Sequence, residues 1–272
     1  MQRLLAFFFA AALLWTPAWS QSAPDALVPD LSQYILTPPA PPTPRINGAK
    51  VFVSRPGSEF LFAIPASGDR PMTFAAEGLP KGLSLDPSTG FITGRVKKPG
   101  TYLVKLTARN ALGEATRELR IVIGERIALT PPMGWNSWNT FGPNINEALI
   151  RETADVMVDS GLAAAGYNYL VIDDCWSEKF RDEQGRLVAS AEKFPNGMKA
   201  VADYVHSKGL KFGMYSCAGI FTCARYPSSY GYEFIDADTF ASWGVDFLKY
   251  DYCNKPAGIP GHLLYKRMGT AL

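Results

Sequence analysis

The sequence predicts a multidomain chain, an all-β sandwich followed by parallel β/α units. Two periodicities carry this reading. Over residues 45–125 apolar side chains alternate with a period of two, and beyond residue 126 short β-rich runs alternate with helical ones. A third observation concerns chemistry: polar and aromatic side chains gather at the ends of the later strands. The 272 residues are 47% hydrophobic and 19% charged, enough apolar material for a sizeable core, which excludes global disorder. Lys plus Arg number 27 and Asp plus Glu 25, a formal charge of +2. No basic patch of the kind a nucleic-acid or phosphate site needs accompanies it.

Residues 1–20 read as an export signal. Arg3 precedes an apolar run from Leu4 to Trp15, and Ala18 and Ser20 are small residues at a cleavage position. The run is shorter than the ~20 residues a membrane span needs. The mature protein is therefore expected to be exported, periplasmic or secreted, in a compartment where thiols oxidise. Residues 21–44 end in PPAPPTP and read as an extended, Pro-rich linker.

Within residues 45–125 the runs Lys50–Val53, Phe60–Ile64, Tyr102–Leu106 and Arg117–Ile123 are strand candidates. Turn signals separate them: Gly57-Ser58, Gly68-Asp69, Pro80-Lys81-Gly82, Thr89-Gly90, Pro99-Gly100 and Asn110 to Gly113. Short strands at this spacing predict a β-sandwich. The stretch LPKGLSLDPSTGFITGRVKKPGTYLVKLTARNALGEA resembles the Ig-like modules attached to many secreted enzymes and surface proteins. It holds no cysteine, and so no antibody-type bridge. The resemblance carries a fold and little function, so the module is read as a spacer rather than as a carbohydrate- or partner-binding unit.

From residue 126 the pattern changes. Glu147 to Ala165 has helical spacing, and Tyr167–Ile172 is a strand candidate ending in Asp173-Asp174. Met198–Lys208 reads as a helix closed by Gly209, and Leu210–Tyr215 as the next strand. Asp236–Trp243 is a short helix stopped by Gly244, Val245–Tyr250 a fourth strand ending in Asp251, and Leu263–Leu272 a final helix. Trp138, Asp173, Asp174, Tyr215, Lys249 and Asp251 all fall at or just past strand C-termini. In a (β/α) barrel that end carries the active site.

One strand-end carboxylate could merely cap the following helix. Several strands delivering such groups to one rim point to a site. Lys249 and Asp251 are two apart on a strand and face one side, so the ammonium is expected near the Asp251 carboxylate, favouring its ionised form. Adjacent carboxylates such as Asp173 and Asp174 suit sugar hydroxyls, and Trp138 and Tyr215 offer flat faces to the C–H side of a ring. Only two histidines, His206 and His262, are present, and His206 reads as structural. Carboxylates, aromatics and export favour carbohydrate hydrolysis over proteolysis or redox work. Asp236, Asp238 and Asp246 are expected to cap helices or face solvent.

The motifs PPMGWNSWN, IDDCW, YVHSKGLKFGMY and TCARYPSSYGYEFIDADTFASWGVDFLKYDYC resemble family 27 glycoside hydrolases, the α-galactosidase family, from about Thr130 onward. The resemblance implies a (β/α)8, TIM-type barrel over residues 126–272, with Asp251 as nucleophile. It further implies that Trp138, Asp173, Asp174, Tyr215 and Lys249 bind the sugar, and that the reaction retains configuration through a glycosyl-enzyme.

Retention needs a second carboxyl as acid/base, which in the family lies well downstream of the Lys-x-Asp segment. The expectation is therefore an incomplete barrel, lacking the acid/base and itself inactive. The same family also implies α-N-acetylgalactosaminidase or β-arabinopyranosidase activity as alternatives. A non-catalytic carbohydrate-binding fragment is the competitor from another class. Cys223 and Cys253 match positions that are bridged in relatives, and Cys175–Cys217 is the expected second pair. The cysteine and histidine spacing suits no zinc site, and neither a metal nor an organic cofactor is expected. The expected partner is an α-galactoside, small or polymeric, with no nucleic acid and no membrane span.

Overall fold

The computed structural model describes residues 40–272. The expected export signal and most of the Pro-rich linker lie outside the described residues. The end of that linker is docked: the Pro42 carbonyl accepts from the Asp69 amide at 2.9 Å and from Asn110 Nδ2 at 2.8 Å.

The β part comprises β1 (Arg45–Ile46), β2 (Val51–Ser54), β3 (Glu59–Ala63), β4 (Ala66–Ser67), β5 (Thr73–Glu77), β6 (Leu83–Leu85), β7 (Phe91–Arg95), β8 (Gly100–Asn110) and β9 (Gly113–Ile123). One sheet has the order β2-β9-β8-β5 and another β3-β7-β6, with β1 and β4 paired separately. The long β8–β9 hairpin turns at Asn110, whose Oδ1 accepts the Leu112 amide at 2.9 Å. Alternation then sorts its side chains. Val104, Leu106 and Ala108 of β8 and Leu119, Ile121 and Ile123 of β9 are buried with Phe60, Phe62 and Ile92 of the facing sheet.

The α/β part follows: β10 (Gly134–Asn136), α1 (Trp138–Phe141), α2 (Glu147–Asp159), α3 (Leu162–Ala165), β11 (Tyr169–Val171), β12 (Ser177–Arg181), β13 (Leu187–Ala189), α4 (Gly197–Ser207), β14 (Lys211–Cys217), α5 (Glu233–Trp243), β15 (Phe247–Asp251) and α6 (Gly261–Ala271). Strands β10-β11-β14-β15 form a parallel sheet in chain order. Among the described residues this sheet has four strands and does not close on itself. Ile150, Ala154 and Met157 of α2 and Met198, Val201, Ala202 and Val205 of α4 recur at helical spacing and pack with Leu170, Phe212 and Met214 of the sheet.

Two local expectations are corrected. The helix expected over 147–165 is broken at Ser160-Gly161, because Gly161 takes a left-handed φ of 83° that no helix interior accepts. Asp236 neither caps a helix nor faces solvent. It is fully buried on α5, and both its oxygens accept from Arg181, at 2.6 and 2.9 Å. The β12–β13 hairpin that supplies Arg181 is an addition to the expected elements.

The β part packs against the turns that precede the parallel strands. Asn47 Nδ2 donates to the Ala164 carbonyl at 2.9 Å, just before β11. Phe91 and Ala63 cover Gly209, just before β14, and the Lys211 ammonium lies 5.3 Å from the centre of the Phe52 ring. Asp246, just before β15, accepts from His206 at 2.7 Å, from Lys211 at 3.2 Å and from the Phe212 amide at 2.9 Å. All these contacts lie at the strand N-termini, one strand length from the opposite rim.

Candidate active site

Register places the rim residues. Val171 of β11 lies beside Gly213 of β14, and Tyr215 of β14 beside Lys249 of β15. Continued by two residues, the first pairing sets Asp173 level with Tyr215. Asp173, Tyr215 and Lys249 therefore form one row across three strands, on one face. Asp251 stands one step further, beside Cys217.

The row is wired by hydrogen bonds. Lys249 Nζ donates to Asp173 Oδ2 at 2.6 Å, reaching over Tyr215, whose ring centre is 5.3 Å from the ammonium. The expected Lys249–Asp251 contact is thus replaced by Lys249–Asp173, because the row lies across the strands and not along one. Asp173 Oδ1 accepts the Asp174 amide at 2.9 Å. Asp174 turns away from the row: its oxygens accept the Cys175 amide at 2.7 Å and the Ala224 amide at 2.9 Å. Cys175 permits this turn by adopting a φ of 72°. Both carboxylates are buried.

Asp251 is half-buried at the end of β15. Its Oδ1 accepts its neighbour's amide, from Tyr252, at 2.8 Å, and its Oδ2 accepts the Tyr215 hydroxyl at 3.1 Å. Tyr215 is 1% exposed, so it presents a hydroxyl to the site and no open ring face. Burial, then the charges of Asp174 and Asp251, push its phenol well above the ordinary tyrosine range and keep it a donor. Trp138 opens α1 at the end of the first strand and is 37% exposed.

Cys223 and Cys253 are joined, which ties the loop after β14 to the strand of Asp251. The Cys223 sulfur lies 3.4 Å from Asp251 Oδ2, a contact without a proton, since a disulfide sulfur has none. The expected second bridge does not form: Cys175 and Cys217 are free and buried. The Cys217 sulfur accepts the Cys253 amide at 3.1 Å, while the left-handed turn at Cys175 carries its thiol elsewhere. Burial raises the pKa of both thiols and keeps them protonated. Cys223, Asp251 and Cys253 converge closely enough to suggest a metal site, but two of the three sulfur and oxygen donors are spent on each other.

Sequence reasoning passed over two supports of this site. Ser137 is buried and its Oγ accepts the Asp173 amide at 3.0 Å, joining the end of the first strand to the second. Trp176 Nε1 donates to the Tyr215 carbonyl at 2.9 Å. Both sit inside quoted motifs, GWNSWN and IDDCW, where the more reactive neighbours drew attention. Two cavities of about 570 and 640 Å3 lie elsewhere, one between β13 and α5 and one beside the strand N-termini, and neither is lined by a rim residue.

Residues 130–272 match the family described as "Alpha galactosidase A", and residues 33–124 the one described as "Putative Ig domain". An alpha-galactosidase of Coffea arabica is 62% identical over 160 residues, 58% of this chain and 39% of its own length. One of Cyamopsis tetragonoloba is 54% identical over 174 residues, 64% of this chain and 42% of its own length. This chain thus spans about two fifths of the length of these curated relatives. A Bacteroides fragilis structure described as a "putative alpha-galactosidase/melibiase" superposes with a TM-score of 0.82 at 53% identity, over 85% of this chain and 50% of that one. The alpha-galactosidase I structure from Mortierella vinacea gives 0.52 at 47% identity, over 53% and 38%. With more than half its residues inside the first family match, the chain belongs to the alpha galactosidase A family, family 27 of the glycoside hydrolases.

Proposed function

We propose that the protein is a retaining glycoside hydrolase that releases terminal α-galactose, with Asp251 as its nucleophile. The observation that carries this is the Asp251 carboxylate itself. It stands at the C-terminal end of a parallel strand, held through one oxygen by its own chain and through the other by a neutral phenol. A nucleophile fixed in this way meets an anomeric carbon without reorganising. Asp251 attacks that carbon, the aglycone oxygen departs with its electron pair, and water then releases the sugar from the ester.

Asp173, Lys249 and Trp138 are assigned as ligands for sugar hydroxyls and the C–H face of the ring. Asp174 shapes the cradle by holding the Ala224 amide. Asp173 and Asp174 are both committed as acceptors, so neither is assigned the acid/base role. We further infer that the parallel sheet belongs to a (β/α)8 barrel and that the protein is exported. Among the described residues no helix is long and apolar enough to cross a membrane, which is compatible with that.

The test uses a galactosyl fluoride bearing a second fluorine on the ring. Fluoride leaves without acid assistance, and the resulting ester turns over slowly. Mass spectrometry is expected to find one galactosyl group on the peptide containing Asp251, and none in Asp251→Asn. Absence of label, or label on another residue, rejects the proposal.

A further inference from the structure

Beside Asp251 lies a loop that exposes two large apolar side chains. Ile220 is 50% and Phe221 44% exposed, while Thr222 between Phe221 and Cys223 is buried. Exposed side chains of this size are ordinarily free to fold back onto a surface. Here hydrogen bonds fix the backbone that carries them. The Ala218 amide donates to the Asp251 carbonyl at 2.9 Å and the Ile220 amide to the Asn254 carbonyl at 3.0 Å. Asn254 Nδ2 donates to the Thr222 carbonyl at 2.7 Å, and the Thr222 amide to Tyr226 at 2.9 Å. Phe221 pairs with Pro227 across the loop. The Cys223–Cys253 bridge and the Ala224 amide on Asp174 pin the far end. Lys179 braces it from outside, 3.2 Å from the centre of the Tyr226 ring.

Phe221 precedes Cys223 by two residues, a chain span of at most ~7 Å. The Cys223 sulfur touches Asp251 Oδ2 at 3.4 Å. The Phe221 backbone therefore stands on the order of 10 Å from the carboxylate that would attack the anomeric carbon, about the length of a two-sugar substrate. The group that projects outward from that carbon is the leaving group.

We infer that Phe221, with Ile220 beside it, is the platform on which the leaving group rests, and that it selects aglycones with a flat apolar face: aryl groups, or the C–H side of a second sugar. This deepens, and rests on, the hydrolase reading above. It assigns Phe221 to specificity and not to the galactose cradle. Because the loop is already ordered by its own hydrogen bonds, contact with the aglycone costs no ordering of the loop.

The experiment separates the two halves of a substrate. The 272-residue chain is labelled at Asp251 by the fluorinated galactosyl fluoride, whose leaving group is a single atom. Free galactose and an uncleavable aryl 1-thio-α-galactoside are then used as protectants. In Phe221→Ala, protection by the thiogalactoside is expected to weaken about three- to tenfold, the range of one aromatic contact, while galactose changes less than about twofold. Phe221→Tyr, which keeps the ring, is expected to restore the parent value. Unchanged protection by the thiogalactoside, or equal loss for both ligands, overturns the inference. Failure to label Asp251 in the parent chain instead rejects the hydrolase reading, and this inference with it.

Discussion

Lys249 reaches across β14 to Asp173 and leaves Asp251 to Tyr215. Two residues apart on one strand, Lys249 and Asp251 share a face, but their side chains leave the strand about 7 Å from each other. A partner two strands away in the same row starts farther off, about 10 Å, but the long lysine side chain spans that gap, and Asp173 is buried with no other cation on it among the described residues. A buried carboxylate gains more from a cation than a half-exposed one does. At the other end of the sheet Asp246 plays a structural part. Burial pushes its carboxyl up, but His206, Lys211 and the Phe212 amide outweigh that and hold it below the ordinary aspartate range. A depressed carboxyl stabilises the fold above its unfolded pKa and loses that contribution as pH falls through the folded one. The melting temperatures of the parent and Asp246→Asn are therefore expected to differ most at about pH 5 and to converge as pH falls below the ordinary aspartate range. A gap that widens as pH falls would contradict this.

At the scale of elements, the helices and strands that were legible are those whose side chains repeat with one clear period. The α4 stripe of Met198, Val201, Ala202 and Val205 is one example, whereas β14, buried along its whole length, was legible as a short β-rich run after Gly209. The β12–β13 hairpin was not legible, because SEKFR carries three charged residues and no alternating apolar set. Distant partners hold it instead. Arg181 stacks on Tyr232, with 4.0 Å from guanidinium to ring centre, donates to the Ser228 carbonyl at 2.7 Å, and pairs with Asp236. Burial raises the Asp236 pKa, and Arg181 offsets part of that rise. Asp236→Asn leaves a nearly buried guanidinium without its anion. A loss of about 3–5 kcal/mol is expected by urea denaturation, against well under 1 kcal/mol if the pair were a surface one.

At the scale of the molecule, the sequence reading separated a sandwich from a β/α part and left the sandwich as a spacer. Their contact is made where glycines allow backbones to approach, and such positions carry no apolar signature. A Cβ on Gly48 would stand 3.7 Å from the Gly166 backbone, one on Gly166 2.7 Å from Gly48, and one on Gly209 2.5 Å from the Phe91 ring. Gly209 also has a φ of +76°. Gly209→Val is expected to lower stability by about 1–3 kcal/mol through overpacking and backbone strain. Calorimetry of the variant checks this, and an unchanged melting temperature would show that the two parts are not firmly packed. The candidate site was the more legible half of the problem. Its six rim residues sit in contiguous motifs, and only the row that joins Asp173, Tyr215 and Lys249 needed strand register, which no single motif contains.

The sandwich meets the sheet at the ends where the strands begin, and the rim stands where they finish. The join that steadies the fold and the candidate site are thereby lodged at opposite poles of the same strands. Substitutions at Asn47, Phe52 or Phe91 can change the melting temperature while leaving the rim residues in place. Changes at Ile220 or Phe221 fall at the far pole and leave the join intact. The two ends of the sheet can therefore change independently of one another.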